Sequence, residues 1–410
     1  MVQREQYIEK IRGFMDQPEL IKVITGLRRS GKSIMLELIQ TELRARGIRE
    51  SNILAYNFED MSLRELKESE ILHDHLKKRI DGRKGRVYLF LDEVQEVDNW
   101  ESCINSLRVN SDVDIYITGS NAKMLVGEYA TLLAGRYVEI RMFPFSFREF
   151  HTAILEKTPE ISVRDAFTLY LRQGGMPFLA NLGLNETDAK QYLRDIYASV
   201  VIKDIMKRNS FRDVDLLDRI ITYVMANAGK TFSATSIAKF FKSERRTVAP
   251  ETILNYLKAC EEAYLFVKIN RLDVPGKKML QVNEKLYLAD HGLREAVYGY
   301  NERDIELILE NIVCLELLRR GYNVSTGRVG SKEIDFVAKR DEECVYIQVC
   351  YLLAGEGTIE REFGVLYDIS DNFPKYVVSM DELNLSRDGI QHRNIRDFLT
   401  LSLDGPKHQS

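Results

Sequence analysis

The chain has 410 residues, more than one hydrophobic core usually holds, so two or three domains are expected. Lys and Arg number 58 against 62 Asp and Glu, a formal net charge of −4, which excludes a general polyanion binder and confines any nucleic-acid contact to a local patch. The five cysteines (Cys103, Cys260, Cys314, Cys344, Cys350) have no C-x-x-C spacing, and no apolar run approaches the roughly 18 residues of a membrane span, so zinc, a disulfide framework and a membrane are excluded and a cytoplasmic location is expected.

Tyr7, Ile8, Ile11 and Phe14 give the first 19 residues the spacing of a short amphipathic helix ending near Pro18. Leu20 to Ile24 suits a buried strand, and Ile34 to Arg46 carries leucines and isoleucines at helical spacing up to Gly47. Ile53 to Phe58 reads as a strand, Glu65 to Ile80 as a polar helix, Val87 to Leu91 as a strand buried on both faces, and Trp100 to Val109 as a helix. Asp114 to Thr118 and Val138 to Met142 read as two more buried strands. Alternating helices and near-continuous apolar strands predict an α/β fold with a parallel sheet covered on both faces over residues 1–147.

Residues 148–210 read as a helical linker or lid, interrupted by the turn signal Gly174-Gly175-Met176-Pro177. Over 211–300, three helices (Leu216 to Ala226, Ser233 to Phe241, Pro250 to Ala263) precede strands at Leu265 to Ile269 and Lys285 to Ala289, the order of a winged helix–turn–helix. Over 301–410, a helix from Ile305 to Arg320 leads to strands at Asn323-Val324, Ile334 to Ala338 and Val345 to Val349, a small α/β domain. The tail after Gln391 is expected to be partly helical and then without fixed structure.

Between the first strand and the helix after it lies Gly26-Leu27-Arg28-Arg29-Ser30-Gly31-Lys32-Ser33, which reads G-x-x-x-x-G-K-S, the P-loop pattern. Its glycines let backbone N–H groups turn inward around a phosphate chain, and the new helix points its positive end at the same charge. Lys32 is expected to reach the β- and γ-phosphates of ATP and Ser33 to hold Mg2+. Hydrolysis needs a second contact to the metal and a group that orients water. Leu91-Asp92-Glu93 supplies both at one strand end, with Asp92 on Mg2+ and Glu93 on the nucleophile, and this strand is expected at the sheet centre beside the P-loop strand. The next strand ends in Thr118-Gly119-Ser120-Asn121, where Ser120 is the candidate sensor of the γ-phosphate. Arg136 is the candidate transition-state or inter-subunit cation.

With these marks the chain resembles the bacterial and archaeal AAA-like, STAND-related ATPases that carry a domain of unknown function behind the ATPase. The resemblance rests on Thr25 to Ser33, Leu91-Asp92-Glu93, Thr118-Gly119-Ser120, Gly135-Arg136, Pro144 to Phe150, Gly174 to Pro177, Lys203-Asp204-Ile205 and Lys285 to Leu293, and it covers nearly the whole chain. It implies a P-loop NTPase followed by a winged helix and a restriction-endonuclease-like terminal fold.

Two acids, Glu251 and Glu262, accompany Asn255 and Lys258 on the exposed face of the candidate recognition helix, which suits a phosphate backbone poorly. Lys239, Lys242, Arg245, Arg246, Lys268, Arg271, Lys277 and Lys278 could form a basic flank, so protein interaction is the favoured role for this domain and DNA binding the other. The last domain resembles the PD-(D/E)XK nuclease core, and the resemblance makes Glu310 its helix acid and Asp335 its metal-binding acid. Gln348-Val349-Cys350 departs from the pattern, because a neutral thiol stands where the nuclease has lysine, with Arg361 and Glu362 the candidates for displaced charge. The reading that emerges is a Mg2+-dependent ATPase switch that controls C-terminal interaction domains through an unidentified protein partner. The alternatives are a DNA-acting defence or mobile-element factor with residual nuclease activity, and a scaffold that binds ATP and hardly turns it over. A homo-oligomer with Arg136 against a neighbour's γ-phosphate and a monomer closing on its own nucleotide both remain open.

Overall fold

The structure is a computed structural model that describes residues 2–122, 135–231, 233–276 and 278–401, the side chains of 278–283 excepted. The chain divides into two compact units, one of Met1–Pro144 with Glu262–Tyr264 and the other of Phe145–Glu261 with Leu265–Ser410.

The first unit is built on five parallel strands: β1 (Ile21–Gly26), β2 (Ile53–Asn57), β3 (Val87–Asp92), β4 (Val113–Gly119) and β5 (Tyr137–Met142), in the order β2-β3-β4-β1-β5. Side chains alternate between the two faces of a strand, and here both faces are covered. Ile21, Val23, Leu89, Leu91, Ile115 and Ile117 pack on one face in the same cluster as Leu72 and Leu76 of the helix Ser69–Ile80 and Ile104 and Leu107 of the helix Trp100–Asn110. Ile24, Tyr88, Phe90 and Tyr116 pack on the other with Ile8 and Ile11 of the helix Glu5–Arg12 and Met35 and Ile39 of the helix Lys32–Ala45. One polar pair interrupts this face. Lys22 is fully buried against Asp114, which also accepts from the Tyr116 hydroxyl at 2.8 Å and from the Asp16 N–H at 3.0 Å.

The second unit begins with helices Phe147–Leu155, Val163–Gln173, Leu179–Leu182 and Glu186–Ser199, the last running into a π-helical stretch over Val200–Lys207. Helices Val214–Ala226, Ala234–Ser243 and Pro250–Glu262 follow, and then strands β6 (Phe266–Asp273) and β7 (Lys278–Leu288) pair as an antiparallel hairpin. The hairpin does not stand alone. β6 also pairs in parallel with β8 (Asn323–Val329), so it joins β9 (Lys332–Arg340), β10 (Glu343–Val349), β11 (Lys375–Ser379) and β12 (Gln391–Asn394) in one seven-stranded sheet, ordered β12-β11-β10-β9-β8-β6-β7. The tail after Gln391 thus opens with a strand before its helix Ile395–Thr400, and residues 402–410 lie outside the described residues.

The turn signal at Gly174-Gly175 meets the stretch Asp290-His291-Gly292 inside this unit. Asp290 accepts the Gly175 N–H at 2.8 Å and the Gly292 N–H at 2.9 Å, and a Cβ at Gly174 (φ 77°) would fall 2.2 Å from its Oδ1. His291 donates from Nε2 to the Tyr170 carbonyl at 2.7 Å. Among the described residues, no helix is long and apolar enough to cross a membrane.

Candidate active site at the P-loop

The loop after β1 has the backbone its sequence requires. Gly26 (φ 143°) passes so close to β5 that a Cβ there would lie 2.2 Å from the Met142 carbonyl oxygen, and Gly31 (φ 99°) opens the helix Lys32–Ala45 in a left-handed conformation that glycine adopts without cost. Leu27 is buried in the core. Arg28 pairs with Glu59 at 3.1 Å, and Arg29 (φ 68°) is exposed. Ser30 is fully buried, and its hydroxyl has no hydrogen-bond partner among the described residues. The Lys32 ammonium is folded onto the loop, 3.1 Å from the Gly26 carbonyl oxygen, 3.3 Å from that of Leu27 and 3.7 Å from Glu93 Oε1.

Asp92 and Glu93 reach this loop by a route the sequence does not show. β3 does not lie beside β1, because β4 runs between them. The intervening strand supplies the connection. The Thr118 hydroxyl, on β4, donates to Asp92 Oδ1 and accepts the Glu93 N–H at 2.9 Å, so one side chain fixes the Asp92 carboxylate and the backbone of Glu93. Ser33, on the P-loop side, is near enough to the Asp92 carboxylate to favour its charged form. Asp92 is 5% exposed, and burial pushes its carboxyl above the usual range, against the pull of Ser33 and Thr118. Glu93 leaves the strand in a left-handed conformation (φ 51°) and is held by Gln95 and by the Ser120 hydroxyl at 3.3 Å.

The donor set fits a nucleotide with its magnesium. A loop with no room for a Cβ at Gly26, a lysine at the first turn of a helix, a buried Ser30 hydroxyl with no partner among the described residues, and a serine close to a buried aspartate are what a triphosphate and a hard cation need. Two contributors carry no sequence pattern. Arg4, 4% exposed, donates to the Ser30 carbonyl at 2.8 Å and to that of Phe143 at 2.8 Å, and so ties the loop to the end of β5, while Gln95 fixes Glu93. Arg4 belongs to a stretch that reads only as an amphipathic helix, and nothing but its nearness to Glu93 marks Gln95.

Arg136 is not brought to this cluster within one chain. Its carbonyl accepts the Ile21 N–H at 2.9 Å, at the start of β1, whereas the P-loop begins at the other end of that strand. At about 3.3 Å per residue, the two ends of β1 are roughly 16 Å apart.

Glu310 and Asp335 come together, with Lys285 between Glu310 and Glu333, and Cys350 is 1% exposed, where burial pushes its thiol up and keeps it neutral. Arg361 pairs with Glu362 at 2.6 Å. Of the expected basic flank, Arg246 is held by Asp213 and Asp215, Lys268 by Glu284, and Arg271 by Glu333. Lys239, Lys242 and Arg245 are exposed, and the side chains of Lys277 and Lys278 lie outside the described residues.

Comparison with known proteins agrees with this geometry. Residues 18–151 match the model of an AAA domain, and residues 164–304 match a domain of unknown function. An uncharacterized protein of Haemophilus influenzae is 37% identical over 402 residues, which is 97% of this chain and 98% of that one. The chain belongs to the same family, a family of AAA-domain proteins. An uncharacterized protein of Methanocaldococcus jannaschii is 30% identical over 363 residues, covering 84% of this chain and 77% of its own length. Among solved structures, the Walker-type ATPase of Pyrococcus abyssi superposes with a TM-score of 0.50 at 12% identity, over 73% of this chain and 96% of that one, which establishes a shared P-loop NTPase fold.

Proposed function

We propose that this AAA-domain protein hydrolyses ATP with Mg2+ and that its nucleotide state switches the interactions of its second unit. The observation that supports the reading is that the Thr118 hydroxyl bonds the Asp92 carboxylate and the Glu93 backbone N–H, while the P-loop Lys32 ammonium lies 3.7 Å from Glu93 Oε1. In this reading the loop N–H groups and Lys32 bind the phosphates, and Ser33 and Asp92 hold Mg2+. The ion, when bound, neutralises charge on the β- and γ-phosphate oxygens. Glu93, fixed by Gln95 and Ser120, orients a water and takes its proton as the water oxygen bonds to the γ-phosphorus and the bond to the ADP oxygen breaks.

The test is turnover by the purified chain. Lys32→Ala is expected to lose both binding and hydrolysis. Glu93→Gln is expected to keep ATP binding and to lose about 10²–10⁴ in kcat, the usual contribution of a general base. A Lys32→Ala chain as active as the parent would sink the proposal, and copurified nucleotide with negligible parent turnover would favour a scaffold instead. DNA action is the weaker alternative, since three of the cations meant for it are already paired with carboxylates.

A further inference from the structure

A nuclease-type centre in the second unit would need Glu310 and Asp335 to share a divalent cation. The structure gives those carboxylates a different counter-ion. Glu310 comes from the helix Ile305–Arg319, and Glu333 and Asp335 come from β9. Lys285, on β7, enters between them with its side chain 4% exposed and places its ammonium 3.0 Å from Glu310 Oε1 and 2.9 Å from Glu333 Oε1. Tyr287, on the same face of β7, donates its hydroxyl to that same Glu310 oxygen. The other oxygen of Glu333 takes Arg271 at 3.2 Å, and Asp335 Oδ2 accepts the Val349 N–H at 2.8 Å. A Cβ built at Gly229 lies 3.2 Å from Glu310 Oε2, so backbone closes in on that side.

Oxygen lone pairs that a hard cation would take are therefore already directed at N–H and O–H donors. A divalent ion such as Mg2+ or Mn2+ needs about six oxygens converging on one point. Among the described residues, no three His, Cys, Asp or Glu side chains are grouped to hold a metal. An ammonium with three donors suits the same carboxylates without that convergence. We infer that Lys285 is the resident cation of this acidic cluster, standing where a nuclease would hold its metal, and that ammonium and divalent metal exclude one another there.

Thermal unfolding of the full chain with added Mn2+ tests this, with Asp92→Asn in every protein so that the P-loop cannot report. The parent midpoint is expected not to move at millimolar Mn2+. Lys285→Met is expected to lower the midpoint, and Mn2+ to restore it saturably, with the recovery lost once Glu310→Gln is added. Should Lys285→Met not fold, Asp335→Asn decides the question. It is expected to leave the parent's lack of response unchanged and not to lower the midpoint, because it removes one acid from a crowd that also holds Glu310, Glu333 and Glu362. Saturable Mn2+ stabilisation of the parent that Asp335→Asn abolishes, or a folded Lys285→Met chain indifferent to Mn2+, overturns the inference.

Discussion

One hydroxyl, on Thr118, bonds the Asp92 carboxylate and the Glu93 backbone, and this makes it a test of how the site binds its metal. Thr118→Val keeps the side-chain volume but removes the donor to Asp92 and the acceptor for the Glu93 N–H. Loss of such an orienting contact usually costs about 10–100-fold in metal affinity, so the Mg2+ concentration for half-maximal turnover is expected to rise by that factor while Lys32 still holds ATP. The same titration carries a pH signature. Burial raises the Asp92 carboxyl, so it gains its proton at a higher pH than an ordinary aspartate, and the metal must displace that proton. Half-maximal Mg2+ is therefore expected to climb as pH falls, beginning above the ordinary aspartate value near 3.9. An Mg2+ requirement that stays flat as pH falls from neutral toward the ordinary aspartate value would contradict it.

At the scale of elements, the turn at Gly174-Gly175 and the stretch at Asp290-His291 depend on two buried groups with opposite pH responses. Burial holds His291 down to about 4 from 6.5, so as pH falls from 6.5 to about 4 the unfolded chain binds a proton that the fold refuses, and stability drops. Burial pushes Asp290 up to about 6 from 3.8, so over pH 6 to 3.8 the fold holds a proton that the unfolded chain lacks, and stability rises as pH falls. Each effect is on the order of 3 kcal/mol at its limit, and they offset where the windows overlap. Asp290→Asn leaves His291 alone, and its urea midpoint is expected to fall more steeply from pH 6.5 to 4.5 than the parent's; an equal slope would refute the pairing. Sequence reached this region only as two unexplained motifs. It reached the central strands well, because Val87–Asp92 and Val113–Gly119 are apolar on both faces and could hardly lie anywhere but inside a covered sheet. It placed β3 wrongly beside β1, because apolar content says that a strand is central without saying which neighbour it has. Lys22 and Asp114 passed unremarked, since each looks like a lone charge until β1 and β4 pair. β12 was invisible as well: Gln391–Asn394 is short and polar, and only its register on β11 makes it a strand.

For the molecule as a whole, Arg136 poses the question of assembly. It sits at the far end of β1 from the P-loop, so any action on a γ-phosphate must come from a second copy. Arg136→Ala chains and Lys32→Ala chains, each inactive alone under that arrangement, are expected to regain part of the turnover when mixed, since one contributes the loop and the other the arginine. Full activity of Arg136→Ala by itself would remove the residue from the mechanism and leave a chain that closes on its own nucleotide.

The second unit's sheet also constrains how the protein is made. β6 and β7 leave the ribosome as a hairpin, yet β6 finds its second neighbour only when β8 appears some 40 residues later, and β11 and β12 complete the sheet near the end of the chain. At about 5–20 residues per second, β6 exposes a bare strand edge, and Lys285 waits without Glu310, for roughly one to eight seconds. Pairing between two nascent chains at that edge competes with correct folding throughout this interval. A holdase that covers the hairpin during synthesis would suppress that pairing.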